Sequence, residues 1–272
     1  MLKIAVIGAG SLLGRELVDA LEPRECSVLP LAAGPMTRDE EFSDLVMFAP
    51  EPSLLEGIEL VLLVETPLAP ELLSSYQGRI LDLRAEPEAS LSLMPLLGTW
   101  PAGKVALRSR PALEQVLALL PRLVEGIGEA AGTHLQSVSH LGDLGVDGLM
   151  EQTAAIFKGE DPAIEKLGYR AAFEVVPEVP RGRLITVKVP VFHGDTLIMH
   201  LRAAEGRTLN RLEAPQGVEW REQPATSREV AVSPFLLAHF APTEEGRAGI
   251  LTLGFDPILW GVLMPILRLL EL

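Results

Sequence analysis

The sequence predicts an α/β fold in two parts: a Rossmann-like domain on a parallel sheet, then an α+β domain with a mostly antiparallel sheet. Three observations carry this. Lys3-Ile4-Ala5-Val6-Ile7 leads straight into Gly8, Gly10 and Gly14 and then into an amphipathic run. Strand, glycine turn and helix in that order open a nucleotide-binding βαβ unit, whose turn lets backbone approach a pyrophosphate and whose helix end offers N–H donors. Leu60-Val61-Leu62-Leu63-Val64 is apolar without alternation, as a strand covered on both faces requires. Past Gly132, Leu197, Met199 and Leu201 alternate with Ile198, His200 and Arg202, which suits a sheet with one covered face.

In chain order, strands are expected near Lys3–Ile7, Ser27–Leu31, Leu45–Phe48, Leu60–Val64, Arg79–Leu83 and Lys104–Leu107. Helices are expected at Ser11–Glu22, Glu71–Tyr76 and Ala112–Val124. Longer strands follow at His134–Leu141, Leu184–Val191, Leu197–Ala203, Val230–Ala241 and Gly249–Phe255, with a helix at Val146–Phe157. The apolar C-terminal run from Ile258 to Leu270 holds Pro265 and Arg268. It falls short of the roughly 20 residues that span a bilayer and reads as a buried helix. The expected domains are 1–125, completed by 256–272, and 126–255.

The glycine spacing is G-x-G-x-x-x-G, one residue longer than the usual dinucleotide fingerprint. Gly8, Gly10, Ser11, Leu12, Leu13 and Gly14 are therefore the candidate NADP or NAD contacts. The carboxylate that holds an adenosine ribose about 20 residues on has no counterpart before Asp39, and Arg38 is the candidate for a 2′-phosphate.

Composition narrows the class. The 272 residues are 48% hydrophobic and 22% charged, enough apolar content for a cored globular protein. A formal net charge of −14 repels phosphate backbones, so no nucleic acid partner is expected. No secretory pattern opens the chain, so a cytoplasmic location and no membrane contact are expected. Cys26 is the single cysteine, which excludes an internal disulfide or a CxxC site. The five histidines show no i,i+4 pairing, so no metal is expected.

Six segments in order resemble the aspartate-semialdehyde dehydrogenase family. The opening turn matches at Gly8 and Gly14, with Ser11 in place of a middle glycine. Val105-Ala106 and the helix through Leu119 and Pro121 resemble the family's nucleophile segment. Ser137-Val138-Ser139 through Gly142 and Gly145 resembles the start of its second domain. Ala172-Phe173-Glu174-Val175-Val176-Pro177 resembles its AFNxxP stretch, and Lys188-Val189-Pro190-Val191-Phe192-His193-Gly194-Asp195-Thr196 its RVPVxxGHS stretch. Phe255-Asp256-Pro257 and Gly261 resemble its C-terminal helix. The resemblance implies an NAD(P)-binding Rossmann domain, a second domain that forms a homodimer through its sheet, and oxidation of an aldehyde through a cysteine thiolate.

This sequence departs from that chemistry residue by residue. The nucleophile position falls at Arg110 or Pro111, neither of which forms a thioester. The histidine acid/base position falls on Asp195, with His193 two places earlier as the weaker candidate. Lys188 stands where an arginine would grip a substrate carboxylate, keeping charge without the bidentate fork. Only Glu178-Val179-Pro180-Arg181-Gly182-Arg183 remains where a substrate-binding helix is expected. The chain thus resembles the shortened, cysteine-lacking Usg-like paralogues of the family. Three readings stay open: a pseudoenzyme or repurposed NAD(P)-binding scaffold, an active oxidoreductase with a cysteine-independent mechanism, and a structural module with an empty cleft.

Overall fold

The computed structural model describes residues 1–34, 45–65, 70–84, 91–94, 100–103, 105–179, 182–243 and 245–271. Contacts divide them into two compact units, 1–111 with 262–272, and 112–261.

The first unit is built on a six-stranded sheet. Its strands are β1 (Leu2–Ile7), β2 (Cys26–Leu31), β3 (Leu60–Leu63), β4 (Arg79–Asp82), β5 (Ser92–Leu93) and β6 (Ala106–Arg108). They run β2-β1-β3-β4-β6-β5, every described pair parallel. Between β1 and β2 lies α1 (Leu12–Leu21), which buries Gly14, Leu17, Val18 and Leu21. That spacing puts one stripe of a 3.6-residue helix against the sheet. On one sheet face Ala5, Ile7, Leu31, Leu55, Val61, Leu63 and Leu72 form a closed apolar cluster. Each buried leucine or isoleucine contributes about 1.5–3 kcal/mol.

The second unit opens with α2 (Ala112–Leu123) and carries the rest of the strands. These are β7 (Val124–Glu125), β8 (Ile127–Gln136), β9 (Val176–Pro177), β10 (Leu184–Lys188), β11 (Asp195–Ala203), β12 (Asn210–Arg211), β13 (Val218–Trp220), β14 (Leu236–Pro242) and β15 (Ala248–Phe255). Seven of them form a mixed sheet ordered β13-β14-β15-β11-β8-β10-β9. Its central pairs are antiparallel, and β8/β10 and β13/β14 are parallel. One helix, α3 (Asp143–Phe157), sits between β8 and β9 in sequence, and α4 (Ser227–Val230) is a single capped turn. The last element, α5 (Met264–Leu269), belongs to the first unit and follows a π-helical turn at Leu259–Leu263.

Several expected elements take other forms. Leu45–Phe48 supplies only a bridge from Phe48 to Leu31, because Val46 and Phe48 keep much of their surface in solvent. Glu71–Tyr76 gives a 3-10 turn at Pro70–Leu73 in place of a helix. The strand expected at His134–Leu141 starts earlier, at Ile127, and stops at Gln136, with a 3-10 turn at Val138–Leu141. The strand expected from Val230 starts at Leu236, because Thr226 and Glu229 close a capping box that starts a helical turn. Lys104 lies outside the described residues.

Gly14 carries a packing requirement. A Cβ there would lie 2.2 Å from the Gly8 carbonyl oxygen and 2.7 Å from the Ala9 Cα. Gly14→Ala should therefore displace α1 from the β1 turn and cost about 1–3 kcal/mol. Urea unfolding followed by circular dichroism reads this as a lower midpoint for the transition of the first unit. An unchanged midpoint contradicts the packing requirement.

Candidate functional site

The turn after β1 is the first place where backbone could hold a ligand. Gly8 takes φ +87°, and a Cβ there would meet Glu65 at 2.8 Å, so both conformation and space demand glycine. Its N–H and that of Ala9 donate to the Leu31 carbonyl, locking the turn to the end of β2. Ser11 caps α1: its hydroxyl accepts from Gly14 N at 3.2 Å and donates to Gly8 O at 2.8 Å. The N–H groups of Gly10 and Leu13 reach no acceptor among the described residues. Arg15 lays its guanidinium on the Gly10 carbonyl, placing a cation beside these donors. Such a turn fits the pyrophosphate of NADP or NAD in its backbone. Ser11, Leu12 and Leu13 follow in the same segment, and the Cβ and Cγ of Glu65 stand against Gly8. Arg38 lies outside the described residues.

The one thiol is elsewhere on this sheet. Register pairs Leu2 with Cys26 and Ile7 with Leu31, so Cys26 starts β2 at the amino edge, while the glycine turn leaves the carboxyl edge. Five residue steps separate the two edges along β1, about 16 Å. The Cys26 thiol is buried and donates to the Leu21 carbonyl at 3.2 Å. Burial pushes its pKa up, and Arg24 only partly offsets this. A protonated, covered thiol is a poor nucleophile. At the junction from β6 to α2, Arg110 donates through Nε to the Met94 carbonyl, and Pro111 is exposed.

The two acid/base candidates fall into different surroundings. Asp195 begins β11 and is 3% exposed. One of its oxygens accepts from the Ser137 N–H at 2.8 Å and the Ser137 hydroxyl at 2.6 Å. The other meets His134 Nε2 at 2.8 Å. Since the Ser137 proton goes to Asp195, the Ser139 hydroxyl donates to Ser137 Oγ at 3.0 Å. His134 stacks on Phe255, and its Nδ1 has no partner among the described residues. Ser137 and His134 each contact Asp195, and among the described residues no hydrogen bond joins the two, so the carboxylate lies between the serine and the imidazole. Asp195 ties the ends of β8 and β11 together.

His193 is the accessible member. Gly194, at φ +90°, turns the chain so that His193 precedes β11 with its side chain 35% exposed. Its Nδ1 stands 3.7 Å from a carboxylate oxygen of Asp256, which is buried. The other Asp256 oxygen accepts from Ile258 N at 2.9 Å and Leu259 N at 2.7 Å, fixing the start of the C-terminal segment. The Asp256 backbone carbonyl accepts from Trp260 and Gly261. Gly261 in turn abuts α2, since a Cβ there would lie 2.6 Å from Ala112 Cβ, and Gln115 donates to its carbonyl at 2.6 Å. A half-exposed imidazole and the start of α2 thus both adjoin Asp256, whose carboxylate faces His193 from beyond hydrogen-bond distance. Sequence reasoning missed Asp256 in this role, although Asp-Pro ahead of an apolar run is a helix-start signal. It also missed His134 and Ser137, whose partner is fixed only by the β8/β11 register.

Lys188 ends β10 on the other side of that turn and pairs with Glu178 at 3.1 Å. The Ala172–Pro177 segment is held by buried Gln152, whose amide oxygen accepts from Ala171 and Ala172 and whose nitrogen donates to Ala163 and Tyr169 carbonyls. No group of three His, Cys, Asp or Glu among the described residues is placed to hold a metal ion. No described helix is long and apolar enough to cross a membrane.

Comparisons with solved structures place the fold. Aspartate semialdehyde dehydrogenase II from Vibrio cholerae, complexed with ASA, superposes with a TM-score of 0.78 at 16% identity, covering 100% of this chain and 97% of that one. A probable aspartate-semialdehyde dehydrogenase from Pseudomonas aeruginosa gives 0.74 at 20% identity, covering 98% and 97%. Aspartate semialdehyde dehydrogenase from Francisella tularensis gives 0.71 at 13% identity, covering 100% and 99%. The chain therefore has the two-part architecture of these dehydrogenases, a Rossmann-like parallel sheet and a second mixed sheet. No family model and no curated protein matches the sequence.

Two measurements check these placements. Native protein should react with iodoacetamide at neutral pH far more slowly than urea-unfolded protein, because the raised thiol pKa leaves little thiolate; equal rates contradict the buried placement. Asp195→Ala strips the shared carboxylate from Ser137 and His134 and should cost about 3–5 kcal/mol in urea unfolding, whereas a loss below about 1 kcal/mol contradicts the network.

Proposed function

We propose that this chain is a Usg-like paralogue of the aspartate-semialdehyde dehydrogenase family that binds NADP or NAD and does not carry out the thiol-dependent, phosphorylating oxidation of an aldehyde. The position of Cys26 carries this reading. Covalent aldehyde chemistry needs a thiolate within reach of the nicotinamide end of the cofactor. Dinucleotides bind beyond the carboxyl ends of parallel strands, and Cys26 is buried at the amino ends. At the β6–α2 junction Arg110 and Pro111 offer no replacement. The Gly8–Gly14 turn and Arg15 support retention of the dinucleotide, which supplies hydride transfer when bound.

A second reading is favoured by one pair of residues. His193, partly exposed and 3.7 Å from buried Asp256, could exchange a proton with an alcohol or carbonyl oxygen during hydride transfer without any thiol. Asp195 is unsuited to that role because both carboxylate oxygens are engaged and covered. A homodimer through the second sheet is part of the proposal. The sheet face carrying Ile198, His200, Ile250, Thr252, His239 and Ala241 is uncharged at these positions, with Arg202 and Glu129 paired beyond them, and Ile250 is 42% exposed.

Calorimetry with NADP, NADPH, NAD and NADH should show binding of at least one of them with Kd below about 1 mM; no heat from any of them leaves an empty scaffold and defeats the proposal. Aspartate semialdehyde with NADP and phosphate should give no reduced cofactor, and turnover there would show that a nucleophile has been overlooked. If another aldehyde or hydroxy acid is turned over, His193→Ala should slow it by about 10²–10⁴-fold, as the second reading requires. Ile250→Asp should convert the dimer to monomer in light scattering, and an unaffected dimer moves the interface off this face.

A further inference from the structure

α3 buries one face and leaves the other to solvent. Gly145, Gly148, Leu149 and Gln152 lie on the buried side. A Cβ on Gly148 would lie 2.7 Å from Leu167 Cγ, so that side is closely filled. On the opposite side Asp147, Met150, Ala154 and Phe157 are exposed. Their 3-4-3 spacing is that of the seam along which one helix packs on another. Met150 and Phe157 keep 56% and 79% of their surface in solvent, and small Ala154 leaves a notch between them.

Phe173 extends this seam. Its ring meets that of Phe157 edge to face at 5.8 Å and is 63% exposed. Its φ of +63° is a backbone conformation that bulky side chains rarely adopt. Such strain persists where the surroundings over-determine it. Gln152 does this here, accepting from Ala171 N and Ala172 N just ahead of Phe173 and donating to the Ala163 and Tyr169 carbonyls. The loop is held in a strained form that keeps a phenyl ring outward.

The ends of the seam carry opposite charge. Asp147 stands near its start and Lys158 caps its end, and neither forms a salt bridge among the described residues. Lys166 feels the charge of Asp147 but gives its hydrogen bond to Glu151. Turned antiparallel about a two-fold axis, a second copy of α3 sets Met150 over the partner's Ala154 and brings Asp147 to the end that bears the partner's Lys158. A parallel pair would set Asp147 beside the partner's Asp147.

We propose that α3 pairs antiparallel with α3 of a second copy of this chain, through Met150, Ala154, Phe157 and Phe173, with Asp147 and Lys158 closing both ends. This goes beyond the proposed function and uses none of the sheet residues offered for the dimer. The two phenylalanines present about 300 Å² of apolar surface, well short of the roughly 800 Å² per partner of a standard interface. The pairing is therefore weak and governed by concentration.

Sedimentation velocity of the full chain from about 10 µM to about 1 mM should show the average mass climbing toward twice its low-concentration value. Met150→Asp and Phe157→Asp, each checked for native circular dichroism, should abolish the climb and leave the mass at the lowest concentration unchanged. Asp147→Lys and Lys158→Glu should each weaken the pairing by about fivefold or more, and the double variant should restore it, because the charges are then exchanged end for end. No climb in the native protein, a climb that survives Phe157→Asp, or a double variant no better than the single ones overturns the proposal. Ile250→Asp should lower the mass at the lowest concentration and leave the climb intact, which reads the sheet contact separately.

Discussion

The parallel register of β1 with β2 is the constraint on which the functional account depends. Once Leu2 pairs with Cys26 and Ile7 with Leu31, the sulfur and the glycine turn are committed to opposite edges of one sheet. No rotamer change closes a gap of about 16 Å, and a slip in register would carry a buried strand's contacts with it. The core cluster of Ala5, Ile7, Leu31, Val61 and Leu63 holds that register from one face, and α1 covers the sheet through Leu17, Val18 and Leu21. Packing in the core therefore settles which chemistry the sole thiol is positioned to perform.

The turn after β1 places two glycines where side chains have no room. Gly8 and Gly14 are required by geometry alone: one by its positive φ and the approach of Glu65, the other by the Gly8 carbonyl. In the second unit, two of the charged candidates sit with internal partners. Asp195 is held by Ser137 and His134, and Lys188 by Glu178. His193 differs, being partly open and faced by the carboxylate of Asp256. The charged groups are thus divided between those that stabilise the fold and one pair that could act on a ligand.

Much of the fold was legible because its signals are local. Continuous apolar runs mark β1 and β3, the i,i+3,i+4,i+7 stripe marks α1, and alternation marks β11. The failures have physical causes. Ser137 ends β8 because its N–H is taken by Asp195, a partner far away in sequence, so no local pattern at His134–Leu141 could stop that strand. The Thr226–Glu229 capping box was readable in the sequence and outweighed the β-branched Val230 and Val232 that suggested a strand. In the first turn, the demand for glycine at Gly8 and Gly14 was recognisable from spacing. The pairing of His193 with Asp256, and of Lys188 with Glu178, depends on how strands and turns come together and was not.

The central claim is that no sulfur in this chain forms a covalent adduct with an aldehyde while a dinucleotide is present. Intact-protein mass spectrometry of the native chain, incubated with aspartate semialdehyde and NADP in the absence of phosphate, tests it directly. The account predicts the unmodified mass alone, with Cys26 unacylated after digestion. An acyl adduct mapped to Cys26 would contradict it.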